Sequence, residues 1–205
     1  MTASALITPL ETLRRSLPDT ARDIKLNMAA LVTTPSINAL TDSQRWGVAL
    51  AAAIAARCPS LTQAVREDAA LLVDDVVFDA AATAAGIMAM TNIYYRAMHM
   101  AGDADLARLP AGLRMNALAK PAVDPADFEL FGLAASVVNG CEGCTKAHVS
   151  GARRHGATTE AIQTAIRIAA VLHAVATVLD DKQTSSSPAT DQATTMLQGT
   201  TGAPG

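Results

Sequence analysis

Apolar positions recur at three- and four-residue steps along most of the chain, and the strict alternation of a half-buried strand is missing. The helical pattern starts at Leu17-Pro18-Asp19, with Ile24, Leu26, Met28 and Leu31 supplying its apolar positions. Thr41-Asp42 reads as the N-cap of a long helix through Arg57, stopped at Cys58-Pro59. Two further helical stretches follow over 60–69 and 71–100, the second expected to break near Gly86. Residues 102–112, rich in Gly, Asp and Pro, read as a loop, and 113–119 as a short helix. Asp124-Pro125 opens a helix to Val138, with proline suited to its first turn, and Asn139-Gly140 ends it. Cys141 begins the next helix, which stops near His155-Gly156; Thr158 or Thr159 caps a last one through Leu179. The pattern predicts one all-α domain over 1–182. The Ser/Thr/Gly/Pro-rich stretch 183–205 lacks core residues and reads as a disordered tail.

Composition supports the helical reading. Alanine supplies 44 of the 205 residues and aromatics only 3%, and alanine both favours helix and lets helices approach closely. No glycine-rich phosphate loop argues for a nucleotide fold. A shift of 85 residues aligns Trp46-Gly47-Val48-Ala49 with Phe131-Gly132-Leu133-Ala134, and Ala85-Gly86-Ile87-Met88-Ala89 with Ala170-Val171-Leu172-His173-Ala174. In so alanine-rich a chain, both duplication and chance produce such matches. If the halves are duplicated at that shift, Glu129, Cys141, Cys144 and His148 face Gln44, Ala56, Pro59 and Gln63, and only the C-terminal half keeps reactive groups.

The net charge is −3 and the 12 arginines are scattered, which gives no electrostatic case for nucleic acid. The apolar run 47–56 is too short for a membrane span, and the N-terminus has no basic-then-apolar leader. These features predict a cytoplasmic protein without a membrane partner. In a reducing compartment a close cysteine pair is redox-active or metal-binding.

Chemistry gathers at Glu129, Cys141-Glu142-Gly143-Cys144 and His148. On a helix, the second cysteine lies one turn beyond the first and His148 one turn beyond that. Cys141 follows the Asn-Gly break, where free N–H groups favour a thiolate, whereas closeness to His148 favours Cys144 as the nucleophile. A histidine oriented by a carboxylate can take the thiol proton and return it to a leaving group. A thiolate that attacks a peroxide becomes a sulfenic acid, which a second thiol converts to a disulfide. The same residues also admit a zinc site, with His155 or His173 as fourth ligand, or two inert buried cysteines. Elsewhere Cys58 reads as a buried idle thiol and His173 as a core histidine. His99 and His155 read as surface residues, and Asp74, Asp75 and Asp79 as a solvated face. Met88, Met90, Met98, Met100, Tyr94 and Tyr95 read mostly as core or as a subunit interface.

The run Phe128-Glu129-Leu130, Asn139-Gly140-Cys141, Cys144 and His148 resembles the E-x11-C-x-x-C-x-x-x-H pattern of AhpD-type alkylhydroperoxidases, in the carboxymuconolactone decarboxylase-like superfamily. Similar segments include Asp23-Ile24-Lys25-Leu26-Asn27, Gly86 to Asn92, Tyr95-Arg96 and Leu113-Arg114-Met115-Asn116, so the likeness spans about 10–180. The resemblance implies an all-α homotrimer that reduces organic hydroperoxides with no bound cofactor or metal. It implies that Cys144 becomes the sulfenic acid and that Cys141 is proton donor and disulfide partner, with Glu129 and His148 as proton relay. It also implies an AhpC-type peroxiredoxin partner, and electrons from dihydrolipoamide on a lipoyl-bearing 2-oxoacid dehydrogenase component. One departure stands out: Gly143 occupies the place where many members carry a histidine, which removes a possible relay group. An adaptor that passes electrons to the peroxiredoxin without peroxidase activity is the nearest alternative.

Overall fold

Helix α3 (Asp42–Ala55) is the centre of the molecule, and its sequence explains why: Val48 through Ala53 are apolar on every face and fully buried. The computed structural model describes residues 7–33 and 39–186; it is all-α, with no strand among the described residues. The N-terminal part comprises α1 (Pro9–Ser16), a short 3-10 turn (Asp19–Ala21), α2 (Arg22–Met28) and a π-turn (Ala29–Thr33). After α3 come α4 (Pro59–Ala69), α5 (Asp75–Ala101), α6 (Ala104–Arg108), α7 (Asn116–Ala119), α8 (Pro125–Val138), α9 (Glu142–Arg154) and α10 (Thr159–Ser186). Helix α3 packs against α8, α5, α10 and α4, and α8 in turn packs against α9. Phe131, Leu50, Leu61, Leu130, Ile168 and Leu172 fill the space between them.

Local signals account for most boundaries. Thr41 closes a full capping box with Gln44, and Gln44 also donates to Asp127 at 2.8 Å, tying the start of α3 to the start of α8. Asp124 accepts from the Ala126 N–H ahead of Pro125, and Thr158 accepts from the Ala161 N–H ahead of α10. Helix α1 lies upstream of the expected start; Thr8 caps it and Pro9 fills its first position.

Five expectations about element boundaries need correction. Helix α5 runs unbroken through Gly86, because a 27-residue helix supported along its length by α3 and α8 absorbs one glycine. Its start is later than expected, at Asp75. The loop 102–112 carries α6, capped by Asp103, and the short helix expected over 113–119 shrinks to α7. Helix α10 extends to Ser186, past the start of the predicted tail, whose remaining residues lie outside the described ones. Helices α5 and α10 are long and apolar enough to cross a membrane by length and composition, and here both pack along α3 and α8.

The chain contains two similar halves. Helices of 14, 11 and 27 residues (α3, α4, α5) are followed by helices of 14, 13 and 28 (α8, α9, α10). The connections repeat too. Ala56 and Asn139 are right-handed C-caps, Arg57 (φ 56°) and Gly140 (φ 67°) are left-handed, and Cys58 and Cys141 are extended N-caps. The shift that superposes these turns is 83 residues, not 85, since apolar matches between alanine-rich helices slide whereas a left-handed turn does not. Cys141 therefore corresponds to Cys58, Cys144 to Leu61, His148 to Val65 and Glu129 to Trp46.

The halves meet at Gly47, whose missing side chain is replaced by the Phe131 ring. Ala at position 47 must push that ring out of the core, whereas Ala at position 86 meets nothing within 4 Å. Gly47→Ala is expected to cost about 1–3 kcal/mol and Gly86→Ala to add about 0.5–1 kcal/mol, read by chemical denaturation. Equal effects of the two would contradict this packing.

Candidate active site: a disulfide beside a histidine–carboxylate pair

The turn between α8 and α9 builds the site. Gly140 adopts the left-handed conformation that a side chain resists, and Cys141 returns its N–H to the Ser136 carbonyl at 3.1 Å. Cys141 then caps α9: its sulfur accepts the Cys144 N–H at 3.4 Å. Cys141 and Cys144 are joined as a disulfide, with Cα atoms 5.4 Å apart, and both are buried. The N-terminal dipole and unpaired N–H groups of α9 favour negative charge on either sulfur when the bond is reduced.

Glu129 and His148 meet across the α8–α9 contact, with His148 Nδ1 at 2.7 Å from Glu129 Oε2. Two glycines make room for this pair. A Cβ on Gly132 would lie 2.6 Å from His148 Cε1, and one on Gly151 would collide with the Glu129 carboxylate. This contact orients the imidazole through Nδ1 and turns Nε2 toward α5. Nε2 lies 3.0 Å from Met88 Sδ, and among the described residues no hydrogen bond joins His148 to the disulfide.

Helix α5 holds the turn from the other side. Asn92, fully buried, donates to Ser136 Oγ at 3.1 Å and accepts from Asn139 Nδ2 at 3.0 Å, and its amide also reaches Met88 Sδ at 3.6 Å. Arg96, one turn further, donates to the Asn139 carbonyl. Sequence reasoning assigned no site role to Asn92, Ser136, Arg96, Gly132 or Gly151, and placed Met88 only in the core or an interface. The available signal was Asn92, an amide within the apolar run that follows Gly86.

A cavity opens at each cysteine of the disulfide. Cys141 faces one of about 450 Å³, lined by Arg96, His99, Glu142 and Lys146. Cys144 faces another of about 550 Å³, lined by Met88, Met115, Leu118, Ala147 and His148. In the first, Lys146 and Glu142 form an ion pair, and Lys146, with His99, holds the Glu142 carboxyl below its usual range.

Other expectations divide. Cys58 is a buried free thiol, and His99, His155, Asp74, Asp75 and Asp79 are exposed. His173 is not a core residue: it sits on the exposed side of α10, beside a cavity that Cys58 lines. Of the Met/Tyr group only Met88 is core, whereas Met90, Tyr95 and Met100 project outward from α5, which has too many apolar residues for its buried face. Among the described residues no three His, Cys, Asp or Glu side chains are grouped to hold a metal ion.

Comparison with known proteins agrees with this geometry. Residues 104–180, which carry the disulfide and the Glu129–His148 pair, match the Carboxymuconolactone decarboxylase family. An "Alkyl hydroperoxide reductase AhpD" of Rhodospirillum centenum is 49% identical over 171 residues, covering 83% of this chain and 90% of that protein. Proteins of the same name from Anaeromyxobacter sp. (strain K) and Frankia alni are 49% and 46% identical, covering 90% and 92% of their lengths. The chain belongs to the AhpD family.

The glycine contacts yield a test independent of turnover. In Gly132→Ala the imidazole must move away from Glu129, so the downfield Nδ1 proton resonance of His148 is expected to vanish. Gly143→Ala, where a Cβ meets nothing within 4 Å, is expected to keep it.

Proposed function

We propose that the protein is an antioxidant alkyl hydroperoxide reductase whose Cys141 and Cys144 cycle between dithiol and disulfide. The observation that carries this reading is the bonded cysteine pair at a helix N-terminus, one turn from a histidine already paired to a carboxylate. The names of its relatives supply the hydroperoxide.

In the reduced protein, Cys144 shares its cavity with His148, and Nε2 is the nitrogen available to take the thiol proton. The thiolate attacks the outer peroxide oxygen; the O–O bond breaks, Cys144 becomes a sulfenic acid, and the alkoxide leaves as an alcohol with the proton from His148. Cys141 then attacks the sulfenic sulfur, water leaves and the disulfide forms. An external dithiol restores both thiols by exchange, itself becoming a disulfide. Dihydrolipoamide on a 2-oxoacid dehydrogenase component fits that role, and an AhpC-type peroxiredoxin fits as the partner to which the same dithiol passes electrons. The outward Met90 and Ile93 of α5, which line neither cavity, support assembly as a homotrimer, and the reliance on free thiols suits the cytoplasm.

Differential alkylation of the reduced, chelator-treated protein tests the cycle. One equivalent of organic hydroperoxide is expected to protect Cys141 and Cys144 while Cys58 still alkylates. Continued alkylation of both would sink the reading. In Cys144→Ser, no sulfenic acid should form at Cys141 at the original rate.

His148→Gln should slow thiol oxidation at least about tenfold at pH 7. The loss should shrink above a free thiol's pKa of about 8.5, where thiolate forms without a base. A loss of equal size across the whole pH range would show that His148 only packs.

A further inference from the structure

The two cavities beside the disulfide differ in the charged groups that line them. Tyr95 and Gly143 wall both of them. On the Cys144 side Met88, Met115, Leu118 and Ala147 line the space, with Thr91 and His148 as its polar groups. On the Cys141 side Arg96 and Lys146 stand against a single carboxylate, Glu142, which is already paired with Lys146, and His99, Tyr95 and Met100 complete the wall. The balance there is positive, and the N-terminus of α9 adds to it.

Gly143 decides whether the two spaces communicate. It is exposed, lies between the two cysteines, and a Cβ built on it meets nothing within 4 Å. A ligand can therefore pass over bare helix backbone from one cavity to the other. Each volume is within the range of small-molecule sites, about 300–1,000 Å³. A compact hydroperoxide would occupy one of them and leave the charged one unused.

We infer that the substrate is amphipathic: an internal hydroperoxide of a long-chain carboxylate, lying across Gly143 with its carboxylate toward Arg96, His99 and Lys146 and its distal chain among Met88, Met115 and Leu118. The peroxide must reach Cys144 at the junction, so the chain has to extend to both sides of the reacting oxygen. A terminal peroxide would fill only one side. This inference rests on the hydroperoxide-reducing reading for its chemistry, but the binding site it describes can be tested alone.

The experiment uses the full chain with two kinds of readout. In turnover with an external dithiol, kcat/KM for linoleate hydroperoxide is expected to exceed that for its methyl ester by at least about tenfold, the factor one charge-assisted hydrogen bond supplies. The double variant His99→Gln, Lys146→Gln should erase that preference. Gly143→Leu should lower kcat/KM for linoleate hydroperoxide at least about tenfold more than for tert-butyl hydroperoxide, because only the long chain must cross position 143. Equal rates for acid and ester, or equal losses for both peroxides in Gly143→Leu, would overturn the inference. In calorimetry, linoleate below its micellar concentration should bind at least about tenfold tighter than methyl linoleate. If tert-butyl hydroperoxide is reduced but linoleate binds no better than its ester, the peroxidase reading stands and this inference falls. If no peroxide is reduced while linoleate binds preferentially, the amphipathic site stands and the peroxidase reading falls.

Discussion

The close approach of α8 and α9 is the constraint on which the rest depends. Glu129 and His148 are 19 positions apart and hydrogen-bond because each side chain lies against a glycine of the facing helix. Gly132 yields its side-chain space to the imidazole and Gly151 yields its own to the carboxylate. The same approach is enforced at the turn, where the left-handed Gly140 reverses the chain within three residues. Larger residues at these points would separate a pair that a surface carboxylate and an exposed histidine could not form with any permanence.

The opposite half shows what the architecture requires without the chemistry. Its turn has the same three backbone conformations, although Arg57 rather than glycine occupies the left-handed position. The first cysteine persists there as Cys58, but the second is Leu61, the histidine is Val65 and the carboxylate is Trp46. Three polar positions have become core. Helix pair and turn thus serve as a packing unit in one half, and in the other the same unit carries a disulfide and a hydrogen-bonded histidine–carboxylate pair.

Helix α5 ties these parts together. Asn92 and Arg96 fix the turn that presents Cys141, while Met88 lies against His148 Nε2 and lines the cavity at Cys144. A buried amide such as Asn92 is costly unless every partner is satisfied, and it binds Ser136, Asn139 and the Met88 sulfur. One helix therefore positions both cysteines' surroundings and divides the space beside them into an apolar and a positively charged part.

Much of the fold could be read along the chain. Period and capping residues located α3, α4, α8 and α9 within a few positions, because an N-cap threonine or an Asp-Pro start acts through neighbours two or three residues away. The cysteine spacing and the histidine one turn later likewise marked a candidate site before any packing was known. Boundaries resting on a lone glycine or a loop-like composition failed at Gly86 and around α6, since packing on α3 and α8 outweighs a glycine's local preference. The true shift between the halves, the exposure of His173, the roles of Gly132, Gly151, Asn92 and Arg96, and the two unlike cavities came only from the tertiary structure. Sequence by itself determined the elements and the reactive residue types, whose signals are local; which of them meet is a matter of distances between helices, and those depend on how side chains far apart in the chain share one volume.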